Sequence, residues 1–440
     1  MVDTRSQRQQ QGIAKWLANK CQGTFSWATG MGKSYTALTI IEKMQQKHPT
    51  ASTHIVVPTL YLQEQFLTAL RKAGLQRVEV YVINTYVREN RKCELLLVDE
   101  VHLMIGEHAH HFPKIFSSLC THTWVLGLSA TLTEEEQVTL ANLGLPVVDF
   151  ISMQQAQEAG WVAKNKTYNL GVPLTASETA EYRKWQDIFS AGFARFGHDF
   201  TLAMLCVGNA PARNAYAIQM GWKPELGKAH RWSPQSLGAA ANQWLLASKN
   251  RQAVVNNATN KYTAALYLCR EFPVKTICFS ESTEFASRLA AMMPDIAVAY
   301  HSQIKSIKRE YTTVKQYKTK PDVYTTKTKS IGPATLRAEA IASFADTASG
   351  IRVLSSAKAL DQGADFQNLQ LGIETSGNSS IRQKVQRTGR IVRVEKSLEE
   401  KLAVYVHIYA LETYEANKLR RKQKGIPNII ETTNISDICF

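Results

Sequence analysis

Trp27-Ala28-Thr29-Gly30-Met31-Gly32-Lys33-Ser34 sets two glycines, a cation and a hydroxyl directly before the helical stretch YTALTIIEKMQQK. Glycines let the backbone curl so that several N–H groups face one anion, and the helix N-terminus adds the positive end of its dipole. Thr29, Gly30, Met31 and Gly32 then form a phosphate loop, Lys33 meets the β and γ phosphates, and Ser34 ligates magnesium. Trp27 stands where such loops usually have their first glycine. Sixty-six residues after Lys33, LLLVDEVH ends an apolar run in two carboxylates. Asp99 is suited to hold magnesium, and Glu100 to orient or deprotonate the water that attacks a γ phosphate. The pair predicts an ATPase that uses ATP and magnesium.

These groups need strands to carry them. HIVVP at 54–58, VEVYVI at 78–83, ELLLVDE at 94–100 and TWVLGLSA at 123–130 are short apolar runs separated by helical stretches, the pattern of a parallel sheet covered on both faces. The rhythm returns with KTICFS at 275–280, IAVAY at 296–300, GIRVLSS at 350–356, LQLGIET at 369–375 and AVYVHIYAL at 403–411. The expected fold is therefore α/β with two parallel-sheet lobes, over 1–170 and 263–440, and a helical bridging region over 171–262. A basic, Thr- and Tyr-rich stretch at 303–333 interrupts the second lobe, with eight Lys/Arg against two acids. It suits a β-hairpin arm or a polar loop.

The 440 residues exceed one ordinary core. No stretch approaches the roughly 20 apolar residues of a membrane helix. MVDTRSQRQQQ lacks a signal-peptide core, so a cytoplasmic protein without membrane attachment is expected. Seven isolated cysteines read as reduced thiols, and EHAHHF at 107–112 reads as a solvated loop rather than a metal site. The net charge of +15 is unevenly spread, with 14 Lys/Arg against 14 Asp/Glu in residues 1–160 and 38 against 23 downstream. A basic field confined to one part of the chain suits a polyanion.

In motif order the chain resembles superfamily 2 helicases, whose fold is two RecA-like lobes. Arg8-x-x-Gln11-x-x-Ala14 is similar to the family's adenine-reading segment, with Gln11 on the base and Gln7, Gln9 and Gln10 competing for the register. VVPTLYLQEQF carries Pro58 and Thr59, and Thr85-Tyr86 follows, at places where the family touches a nucleic-acid backbone. His102 and Ser129-Ala130-Thr131 match its coupling motifs. TICFSES and AYHSQI place Ser280, His301 and Ser302 at backbone contacts of the second lobe. SSAKALDQGADF puts Gly363 and Asp365 near the ribose or lobe interface. Gln386-Arg387-Thr388-Gly389-Arg390-Ile391-Val392-Arg393 is the arginine motif, its Arg390 and Arg393 one helical turn apart and able to reach a γ phosphate from the opposite lobe.

Details such as DEVH and Q-R-x-G-R-x-x-R most resemble the UvsW- and RecG-like branch-migration group, its small phage enzymes above all. The resemblance implies an ATP-dependent DNA helicase or translocase acting on forked or junction DNA, working as a monomer in the host cytoplasm. An RNA helicase, or a duplex translocase that does not separate strands, is the alternative. Substrate selection would then fall to the inserts: Phe193 to Asn250, with Trp222, Trp232 and Trp244, or the stretch 303–333.

Overall fold

The computed structural model describes residues 4–89, 91–105, 115–116, 122–130, 132–315, 323–357, 366, 368–376, 402–423 and 429–440. The first sheet contains β1 (Gln22–Trp27), β2 (Thr53–Val57), β3 (Val78–Val82), β4 (Leu95–Asp99), β5 (Trp124–Ser129) and β6 (Val147–Ile151). Their order is β3-β2-β4-β5-β1-β6, and every neighbouring pair is parallel. Each parallel pair needs a crossover, and the central strands are accordingly enclosed: every residue of β2 and of β4 is buried.

The second sheet is built from β7 (Lys164–Val172), β8 (Lys275–Ser280), β9 (Ala297–His301), β12 (Val353–Ala357), β13 (Leu369–Glu374), β14 (Leu402–Ala410) and β15 (Ile429–Thr432). It runs β15-β7-β14-β13-β8-β12-β9, again wholly parallel. Position 170 falls inside β7, so the expected lobe boundary is displaced: the chain enters the second sheet at Lys164, before the helical region begins. The helices Ala176–Arg195, Phe200–Gly208, Ala210–Gln219 and Pro234–Asn256 therefore interrupt the second α/β unit.

Those helices enclose a small core of their own that includes Phe196, Cys206, Leu237 and Trp244. Trp244 is buried and stacks with Phe189 and Phe193 at 5.8 Å. It is core and not available to a ligand, while Trp222 and Trp232 are half-buried. At the mouth of the region Glu178 Oε1 accepts from the backbone N–H of Thr259 at 2.8 Å and from its hydroxyl at 2.7 Å. Most helix starts are closed by side chains; Thr133, Ser152 and Thr175 each form a capping box.

Residues 303–333 contain an antiparallel ribbon, β10 (Ile307–Lys315) and β11 (Val323–Ile331), paired with each other and, among the described residues, with no other strand. The six described cysteines are free thiols. Among the described residues no helix is long and apolar enough to cross a membrane, and no group of three or more His, Cys, Asp or Glu could hold a metal ion. The histidines of 107–112 lie outside the described residues.

Candidate active site

β1 ends at Trp27, residues 28–32 turn, and the helix Lys33–Lys47 begins. Gly30 and Gly32 have φ of 91° and 81°, a left-handed conformation that side chains resist. A Cβ on Gly32 would also lie 2.7 Å from Gln9 Nε2. Gly32 is the N-cap of that helix and offers no side-chain hydrogen bond, so the first-turn N–H groups have no side-chain cap. Thr29 Oγ1 is buried without a hydrogen-bond partner among the described residues. Lys33 Nζ donates to the Trp27 carbonyl at 2.9 Å, folded back across its own loop. Ser34 is exposed at the helix start. This is a cradle with the donors that a polyphosphate requires.

The loop is braced by the N-terminal helix Thr4–Ala18. Gln9 Nε2 donates to the Met31 carbonyl at 2.7 Å and Arg5 Nη2 to that of Gly30 at 2.6 Å. Gln11, expected at this place, is exposed on the other side of the helix Thr4–Ala18. The helix rotation decides this, because its buried residues are Gln9, Gly12, Ile13 and Trp16, spaced three, four and seven apart. The same face meets Trp27: a Cβ on Gly12 would lie 2.3 Å from the indole. Trp27 Nε1 donates to Asp149 Oδ2 at 2.8 Å, and Asp149 also receives Arg8 at 2.7 Å and Lys15 at 2.6 Å. Burial pushes the Asp149 carboxyl up, but hydrogen bonds from Arg8, Lys15 and Trp27 together with the Arg8 charge outweigh it and hold it below its ordinary value. Gly12 leaves room for the Trp27 indole, and Asp149 accepts its N–H.

β4 delivers Asp99 and Glu100 to the same edge as the loop, two strand positions from β1. Asp99 is buried, which raises its pKa, and the Lys33 charge and the Glu100 N–H pull it back. Glu100 adopts φ 52°, ψ 50°, a left-handed state that costs a non-glycine residue about 1–2 kcal/mol. Its Oε2 lies 3.4 Å from His102 Nδ1, and that nitrogen is 3.0 Å from Ser129 Oγ at the end of β5. The chain Glu100, His102, Ser129 therefore joins the expected water-activating acid to the expected coupling motif. Ala130 follows, half-buried; Thr131 lies outside the described residues.

The donor set fits a nucleotide with magnesium: Lys33 and the loop N–H groups for phosphates, Ser34 and Asp99 for the ion. Bound magnesium would neutralise phosphate charge and polarise the terminal phosphoryl group.

The expected strand contacts divide by exposure. Thr59 caps the helix Leu60–Ala73, accepting from Leu62 N at 3.3 Å, with Pro58 beside it half-exposed. Thr85 is exposed, but Tyr86 is fully buried with its hydroxyl 3.1 Å from His54 Nδ1, so it cannot touch a strand in this conformation. In the second unit Ser280 is buried and accepts from Ser282 N at 3.0 Å. His301 is buried with Nε2 2.7 Å from Ser287 Oγ, which leaves Ser302 as the exposed member of that trio. Burial at the ends of β8 and β9 and in the short helix Ile83–Tyr86, invisible in a motif, removes Ser280, His301 and Tyr86 from the surface. Gly363, Asp365, Gln386, Arg390 and Arg393 lie outside the described residues.

Residues 4–93 match the family model described as "Type III restriction enzyme, res subunit". The chain is 25% identical over 438 residues to the DNA 3'-5' translocase XPB2 of Sulfurisphaera tokodaii, covering 94% of this chain and 84% of that protein. Among solved structures, the Pyrococcus furiosus Hef helicase domain superposes with a TM-score of 0.52 at 14% identity, covering 93% of this chain and 96% of that one. Dbp5 of S. cerevisiae bound to RNA and ADP BeF3 gives 0.56 at 11%, covering 98% and 90%. Both likenesses concern the fold, two RecA-like α/β units. With the phosphate loop and the acidic strand end brought to one edge, the family-model match and the translocase relative make the chain similar to ATP-hydrolysing helicases and translocases.

Proposed function

We propose that the chain is an ATP-driven DNA motor that translocates on, and remodels, forked or junction DNA in the manner of the UvsW- and RecG-like group. The observation that carries the motor reading is the line from Lys33 and Asp99 through Glu100 and His102 to Ser129. It ties hydrolysis chemistry to a segment whose counterpart in the family couples ATP state to strand grip. DNA as substrate is supported by the likeness to a protein named as a DNA translocase and by the basic excess downstream of residue 160.

In this reading Lys33 leaves the Trp27 carbonyl for phosphate, Glu100 accepts a proton from the attacking water, and His102 passes the change to Ser129. Arg390 and Arg393 complete the site from the second unit, with Gln386 ahead of them, so that nucleotide closes the two units and hydrolysis releases them. Pro58, Thr59, Thr85 and Ser302 hold the strand backbone, which makes binding sequence-independent and salt-sensitive. Gln9 takes the place given to Gln11 beside the base.

The test compares ATPase stimulation and strand displacement on single strand, fork, Holliday junction and RNA duplex. Stimulation by DNA above RNA, strongest on branched DNA, is expected; stimulation by RNA alone would overturn the reading. The alternative is a duplex translocase that does not separate strands, and displacement of a triplex strand with no fork unwinding would decide for that version.

A further inference from the structure

We propose that one face of the β10–β11 ribbon grips the phosphate backbone of duplex DNA; the proposal rests on the DNA-motor reading and names the surface that would hold the double-stranded arm. The ribbon pairs in unbroken register from Ile307 with Ile331 to Lys315 with Val323. Side chains alternate across a ribbon, so Arg309 opposite Lys329 and Tyr311 opposite Lys327 share one face. Lys308 opposite Ser330, Glu310 opposite Thr328 and Thr312 opposite Thr326 share the other. All ten are exposed.

Such a ribbon has no core, and an isolated hairpin is marginal in water. Facing Arg309 with Lys329 weakens it further, since like charges directly opposite are unfavourable. Glu339 offsets part of this: it binds Arg309 at 2.9 and 3.2 Å and fastens the ribbon base to the helix Pro333–Ala345. Lys327 and Lys329 have no ion-pair partner among the described residues. A projecting arm with two unpaired cations on one face is complementary to a polyanion.

Geometry selects the duplex. Nine-residue strands extend about 30 Å, and a two-stranded ribbon is a shape that the major groove of B-DNA admits.

The experiment uses the full chain carrying Lys327→Glu with Lys329→Glu, and separately Lys327→Gln with Lys329→Gln in case reversal perturbs folding; thermal melting checks both. Affinity for a blunt duplex, a fork and a single strand is measured across salt concentrations, together with single-strand-stimulated ATPase. The expected result is a duplex and fork affinity lowered about tenfold or more and a log–log salt slope reduced by about two. Single-strand affinity and ATPase should stay within about twofold. Unchanged duplex affinity and slope, an equal loss on single strand, or a loss confined to RNA duplex would each overturn the proposal. A parent protein whose ATPase no DNA stimulates would sink the motor reading by itself, whereas a neutral double variant in a DNA-stimulated parent would sink only the ribbon.

Discussion

The indole of Trp27 is hydrogen-bonded to Asp149 at 2.8 Å inside the protein, so the residue that opens the phosphate loop is held by the edge strand β6. Asp149→Ala would leave Arg8 and the indole N–H without their acceptor. It should cost about 3 kcal/mol in urea unfolding, the lower end for removing one partner of a buried pair.

The same carboxyl makes a pH prediction. Its folded-state pKa is depressed, so its contribution is present above the unfolded value of about 3.9 and is lost as pH falls through the folded value. The stability difference between the parent and Asp149→Ala should be constant above about pH 4 and shrink progressively as the pH falls below it. Curves that stay parallel would contradict the assignment.

Lys33→Ala should lower ATP hydrolysis by about 10²-fold or more, as loss of a charge-stabilising donor does. Glu100→Gln should lower it by about 10²- to 10⁴-fold while nucleotide binding, followed by a fluorescent analogue, persists. Chelating magnesium should abolish turnover in the parent. Intact ATPase activity in Lys33→Ala would remove the catalytic assignment.

His102 and Ser129 are 3.0 Å apart in a buried site. A double-mutant cycle with His102→Ala and Ser129→Ala should show a coupling energy of about 1 kcal/mol in stability. In function, each variant should retain more ATPase than strand displacement. Equal loss of both activities would argue that the pair serves folding alone.

Tyr86→Phe removes a hydroxyl that meets His54 in the core. Stability should fall by about 1 kcal/mol, with nucleic-acid affinity unchanged. Thr85→Ala should show the reverse, since Thr85 is exposed. A weakened DNA complex in Tyr86→Phe would restore the contact role first expected of it.

Central strands such as β2 and β4 were legible because parallel strands buried on both faces must be apolar throughout. β7 was not: KNKTYNLGV begins polar and exposed and becomes buried only from Tyr168 onward, so half of it reads as a connection. The phosphate loop and acidic strand end were legible because their chemistry fixes residue type and order. Gln9 was obscured by neighbouring glutamines, although its spacing from Ile13 and Trp16 carried the answer. Tyr86, Ser280 and His301 were placed by motif alone, and a motif does not record which of its side chains turn toward the core.

The two bonds from Thr259 to Glu178 fasten together the ends of the helical region. β7 before it pairs with β14 and β15, and β8 after it pairs with β12 and β13, so neither strand depends on the helices for its register. In terms of chain modularity, the segment between those bonds is a cassette with adjacent ends. Its base is not free of that frame: Tyr182 and Val255 pack with Ala410 of β14, and the Tyr182 hydroxyl accepts from the Tyr414 N–H, so the cassette is moored to the sheet at its ends while its outer helices close on a core of their own.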